Sequence, residues 1–155
     1  MTVLQPTTSK SAWIRKNEDS DVTSLRFSPS GKSLAVGCFN GNVYIRSSLE
    51  SRLMYRIQAV SSESPITSLR WHPVIPNSIV AVSASGFVSA WHTETGQRLW
   101  GFQEEDNSLN TIDFSPNGAL FSTAGSDCSV RTYNLATRQL TSKLETKLYM
   151  QGEVS

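Results

Sequence analysis

Apolar residues along this chain gather in short runs cut by Gly, Pro, Asn, Ser and Asp, and the cuts recur. The run Val22–Phe27 is followed by Pro-Ser-Gly, Ser33–Cys38 by a turn around Asn-Gly, residues 43–46 by a polar loop, and residues 53–57 close the group. Each run is four to six residues long, alternates in part with period two and is rich in β-branched and aromatic residues, which predicts strands rather than helices. The opening phrase VTSLRFSPSGKSLAVG, at 22–37, is then rewritten as ITSLRWHPVIPNSIVAVS at 66–83 and LNTIDFSPNGALFSTAG at 109–125. Its aromatic-x-Pro triplets place Pro29, Pro73 and Pro116 at intervals of 44 and 43 residues. A period in the low forties means one supersecondary unit stacked on its copies. Ser30-Gly31 and Asn117-Gly118 supply positive φ after the first strand, and Asn40-Gly41, Ser85-Gly86 and Asp127-Cys128 punctuate the next turn in the same register.

Four short antiparallel strands per unit describe the blade of a β-propeller. The expected fold is therefore all-β: a partial propeller of about three four-stranded blades plus one leading strand, residues 12–14, which belongs to the outside of a preceding blade. The boundaries drawn on this basis are a flexible N-terminus at 1–11, a propeller segment at 12–145 and a tail at 146–155. Within the segment the repeats run over about 17–59, 60–104 and 105–145. At this point the chain resembles the tryptophan-aspartate (WD) repeat family. Ile45-Arg46, Trp91-His92 and Tyr133-Asn134 stand where that family ends a strand with its dipeptide, and Asp127, three residues before Val130, stands at its turn aspartate. The departures are specific. The family's Gly-His is missing from all three units, and Asn40 and Ser85 replace the turn aspartate in the first two. The family's Asp, His, Ser/Thr and Trp tetrad is thus incomplete in every unit, so apolar packing is expected to hold the blades. The resemblance implies a non-catalytic scaffold for protein–protein interactions in a multi-protein assembly.

Three units are too few for a ring of roughly four to eight blades. The chain is accordingly expected to be a fragment or truncated form of a longer propeller; self-association of two copies into one ring is the competing expectation, and a truncated product with no function of its own is a further one. Composition adds limits rather than leads. Among 155 residues, 14 Lys and Arg face 13 Asp and Glu for a formal charge of +1, and the basic residues do not cluster, which argues against nucleic acid as a ligand. No stretch approaches the roughly 18 apolar residues of a membrane span, and the N-terminus lacks a secretory apolar core, so a cytoplasmic location is expected. Cys38 and Cys128 lie far apart without a CxxC or Cys/His spacing; neither a disulfide framework nor a metal site is indicated.

Candidate chemistry is thin, and neither a catalytic residue nor a cofactor is assigned. His72 and His92 have structural places in the repeat, and SASGF at 83–87 joins two antiparallel strands rather than a strand and helix. One enzymatic alternative rests on AWHTETGQRLW, residues 90–100, which resembles the docking motif A-x-D-x-x-T-G-x-x-x-W of quinone-dependent dehydrogenase propellers, with His92 in place of the acid; in the competing reading Thr95-Gly96 makes a hairpin and Trp100 packs outward on its blade. Trp71 and Trp91 are expected in blade cores, whereas Trp13 and Trp100 fall on outer strands. Cys38 is expected to be buried, and Cys128 lies in a turn. Charge supplies the best binding lead. Glu18, Asp19 and Asp21, then Glu63, then Glu104, Glu105 and Asp106 fall in three equivalent loops between one unit's last strand and the next unit's first. In a propeller those loops share a face, so these acids form an arc suited to a basic peptide or a Lys-rich protein surface.

Overall fold

The computed structural model describes residues 20–60 and 63–146 and forms three four-stranded antiparallel sheets. The first holds β1 (Val22–Phe27), β2 (Ser33–Cys38), β3 (Asn42–Ser47) and β4 (Leu53–Gln58). The second holds β5 (Ile66–Trp71), β6 (Ser78–Ser83), β7 (Phe87–His92) and β8 (Arg98–Gln103), and the third β9 (Leu109–Phe114), β10 (Leu120–Gly125), β11 (Ser129–Asn134) and β12 (Leu140–Glu145). In every sheet the strands lie side by side in chain order. The sheets meet through their first strands, β1 beside β5 and β5 beside β9, so the three sheets are three successive propeller blades fanned about those strands. The leading strand expected at 12–14, with Trp13, and the acids Glu18 and Asp19 lie outside the described residues.

Each of the first two blades carries a bulge at the same place, between Val22 and Ser24 and between Ile66 and Ser68. The extra residue there is a threonine, and the bulge aims its hydroxyl sideways at the next blade. Thr23 Oγ1 donates to the Ile66 carbonyl, and Thr67 Oγ1 donates to the Leu109 carbonyl at 2.7 Å. Asn110 holds the corresponding place in the third blade and is exposed. Trp71 Nε1–H adds a bond to the Arg26 carbonyl at 3.0 Å, and Arg70 pairs across the inner strands with Asp113 at 3.4 Å.

Apolar packing fills the space between blades. Ile45, Ile57, Ile66, Leu69, Trp71 and Ile79 bury one another between the first and second. Val82, Val88, Leu109, Ile112, Phe121 and Tyr133 do so between the second and third, with Trp100, Phe102 and Phe114 at the margin. Flanked on both sides, β6 is buried along its whole length. The outer faces differ from this and from each other. Leu25 pairs with Val36 and Phe27 with Leu34, so they share the face of the first blade turned from the second; they are 51% and 64% exposed. On the far face of the third blade, Ser122 and Thr132 stand where the first blade has Ala35 and Ile45 and the second Val80 and Ala90, and Ser122 bonds Thr132 at 2.7 Å.

Backbone conformation at the second turn of each blade explains one sequence oddity. Gly41 and Gly86 have φ of 86° and 87°, and Cys128 takes the equivalent place with φ 62°. A left-handed residue with a Cβ costs about 1–2 kcal/mol, part of which glycine's greater unfolded-state entropy offsets. Cys128→Gly is therefore expected to gain about 0.5–1 kcal/mol, a rise of about 2–4 °C in melting temperature. Gly86→Ala is the opposite case in the same scan, because a Cβ there runs into the carbonyl oxygens of Glu104 and Asn107. A fall or no change for Cys128→Gly would refute the strain argument.

Candidate functional site

Hydrogen bonds between loops sort the turns into two opposite rims. On one rim the loops between blades meet the turns from second to third strand: Asn40 N–H donates to Ser20 Oγ at 2.9 Å, Ser85 N–H to Ser64 Oγ at 3.0 Å, and Glu104 N–H to the Gly86 carbonyl at 2.8 Å. On the other rim the first turn of each blade meets its last: Ser48 N–H to the Lys32 carbonyl, Thr93 N–H to Asn77 and Leu135 N–H to Ala119. Asp21, Glu63, Glu105 and Asp106 are exposed in the loops of the first rim.

Glu104 does not belong with them. It is 6% exposed, and four donors converge on its carboxylate. Thr123 Oγ1 and Tyr133 OH donate to one oxygen at 2.5 and 2.9 Å; Asn107 Nδ2 and the Arg131 guanidinium reach the other at 2.9 and 3.3 Å. A buried carboxylate is tolerable only with such partners, and here they anchor the loop entering the third blade to β10 and β11. Arg131 turns its other nitrogen to Asp127 at 2.6 Å, while Asp127 Oδ1 accepts the Ser129 amide at 3.0 Å and so shapes the turn. Burial pushes the Asp127 carboxyl up, but Arg131's hydrogen bond and charge with the Ser129 amide outweigh it, and it titrates below its ordinary range. The same hydrogen bond raises Arg131, and burial, then the bond to Glu104, raises the Tyr133 phenol.

This cluster corrects the expectation that apolar packing alone replaces the incomplete tetrad. In the third blade a glutamate ahead of the first strand, a threonine, a tyrosine and the turn aspartate complete a polar network of their own. The signal lies in position: Glu104 sits a few residues before Leu109, at the place of the family's Gly-His.

His72 and the tryptophans serve structure in ways the spacing did not reveal. Buried His72 accepts the Val74 and Ile75 amides on Nδ1 at 3.0 and 2.7 Å, which leaves the proton on Nε2 to donate to the Gly118 carbonyl at 3.1 Å. It thus ties the second blade's first turn to the third's. Trp91 Nε1–H donates to Ser89 Oγ at 2.8 Å beside the first interblade core. Trp100, on an outer strand and expected to pack on its own blade, stacks on Phe121 of the next blade at 5.4 Å, with the Arg138 guanidinium 5.8 Å from its ring. In the quinoprotein-like run, Thr95 and Gly96 turn β7 into β8 and His92 Nδ1 accepts the Glu94 amide at 3.3 Å. Cys38 is buried, which pushes its thiol up, and no group of three or more His, Cys, Asp or Glu side chains suited to a metal occurs among the described residues.

Comparison with known proteins agrees with the three-blade geometry. A domain family described as "Nucleolar protein 10-like, N-terminal domain", a β-propeller, matches residues 2–137. Eukaryotic translation initiation factor 3 subunit I of Aspergillus terreus is 37% identical over 59 residues, 38% of this chain and 18% of that protein. The Xenopus laevis protein of the same name is 28% identical over 105 residues, 66% of this chain and 32% of its own length. The chain thus spans between 18% and 32% of the length of these curated relatives. It belongs to the nucleolar protein 10-like N-terminal domain family, a β-propeller family of the WD-repeat type.

Proposed function

We propose that the chain is a non-catalytic interaction scaffold that works as a segment of a larger propeller within a multi-protein assembly. The observation that carries this is the inner-strand edge of the first blade's outward face, where Leu25 and Phe27 stand exposed at the positions that Leu69 and Trp71 bury in the second, while Val36, Cys38 and Tyr44 on the same face are buried. The relatives' names, a nucleolar protein and a subunit of a translation initiation factor, support membership of such assemblies. The partner surface we assign is the acidic rim of Asp21, Glu63, Glu105 and Asp106, to which Glu18 and Asp19 are joined by sequence, with Glu104 withdrawn into the third blade. Its occupant is a basic peptide or Lys-rich protein surface.

Light scattering tests the segment reading. The purified chain is expected to be monomeric when dilute and to associate without a fixed size as its concentration rises, and the double variant Leu25→Ser, Phe27→Ser is expected to suppress that association. A discrete dimer that persists on dilution would mean instead that two copies complete the ring.

A further inference from the structure

The rim opposite the acids carries a feature that the repeat does not require. In the first and third blades the turn after the first strand is polar, Ser30-Gly31 and Asn117-Gly118. In the second it is one residue longer and reads Pro73-Val74-Ile75-Pro76. Val74 and Ile75 are 67% and 52% exposed, an unfavourable display for a turn. The display is nonetheless rigid. The prolines fix φ on either side, and buried His72 holds both intervening amides on Nδ1.

Beside this loop a groove of about 530 Å³ runs between the second and third blades, within the range of sites that enclose small ligands. Its walls include Val74 and Ile75, Leu99 and Trp100 of β8, and Leu135 and Arg138 from the turn between β11 and β12. Three loops from two blades converge there, so the apolar floor is continuous while the sequence positions are not. No carboxylate lines it. Arg138 caps the rim: one guanidinium nitrogen donates to the Leu135 carbonyl at 3.2 Å and the plane lies over Trp100, and among the described residues no acid pairs with it.

We infer that this groove is a second docking site, for a peptide segment in which a large apolar side chain is flanked by carboxylates. The apolar side chain enters between Ile75 and Trp100, and a flanking carboxylate reaches Arg138, an exposed cation already oriented by its ring contact. The inference deepens the scaffold reading: one molecule offers an acidic rim to basic partners and an apolar, positively capped groove to acidic ones.

Three pools of fluorescein-labelled heptapeptides provide the test, each with a central Leu, Phe or Trp flanked by Asp and Glu, by Ser, or by Lys. Anisotropy is read against the full chain at low concentration. The acidic pool is expected to bind at least about tenfold tighter than the Ser pool. Arg138→Glu is expected to erase that preference, and Ile75→Ser to weaken binding of the acidic pool by about tenfold. Both positions are exposed, so the variants keep the wild-type melt. Glu105→Lys, on the opposite rim, should leave acidic-pool affinity unchanged. An acidic pool that binds no tighter than the Ser pool, or a preference that survives Arg138→Glu, overturns the groove. If the Lys pool alone binds, and Glu105→Lys weakens it, the groove is refuted while the scaffold reading stands.

Discussion

Glu104→Ala is expected to lower the melting temperature of the chain by roughly 10 °C. The loss is that of a buried hub: the Tyr133 and Thr123 hydroxyls and the Asn107 amide lose their acceptor, and Arg131 loses one of its two carboxylates. Stranding buried donors costs about 1–3 kcal/mol each at worst, and breaking one side of a buried ion pair about 3–5 kcal/mol. Arg131 keeps Asp127 and is itself 17% exposed, so a net loss of about 3 kcal/mol is the expectation, at roughly 3 °C for each kcal/mol in a domain of this size. Glu105→Ala, one residue on and exposed, should move stability by no more than about 0.5 kcal/mol. Melts followed by tryptophan fluorescence on dilute protein check the pair. Equal shifts for the two neighbours would show that Glu104 is not buried as described.

Phe121→Ala carries the other large effect. Phe121 lies 5.4 Å from Trp100, 5.1 Å from Tyr133 and 6.2 Å from Phe114, ring centre to ring centre, at the middle of the packing between the second and third blades. Removing a fully buried phenyl costs about 3–5 kcal/mol, the transfer loss plus the cavity that rigid neighbours fail to close. Stacked rings cannot collapse into the hole without tilting away from their other partners. Leu120→Ala, on the adjacent position and the uncovered face, is the contrast, with an expected change below about 1 kcal/mol. If the two substitutions destabilise alike, the ring cluster is not what joins these blades.

Much of the architecture was legible in the amino-acid order because period, turn chemistry and strand length spoke with one voice. The runs from Val22 to Phe27 and from Ser33 to Cys38 became strands with those same limits. The family resemblance was carried by residues at fixed offsets, and so was the place of Asp127. What failed was anything decided by direction rather than position. Glu104, Glu105 and Asp106 are consecutive acids, and nothing in that run announces that the first turns inward; the turn depends on Thr123, Arg131 and Tyr133, which arrive up to 29 residues later. Trp100's place on the last strand of a blade points to packing on that blade alone, yet Phe121 of the following blade supplies a surface it cannot meet within its own repeat. The groove between blades was invisible for the same reason, since its walls come from four separate stretches and become neighbours only when blades pack.

The threonine bulges have a consequence for how the chain comes apart. Each one commits a side chain of one blade to a carbonyl of the next and never the reverse, so adjoining blades are coupled in pairs while distant ones are not. Stability then spreads as in a linear array with nearest-neighbour coupling. The second blade, clipped from one side by Thr23 and clipping the other through Thr67, is the most slowly exchanging unit. The first and third fray from their open faces, and amide exchange should rank the blades in that order.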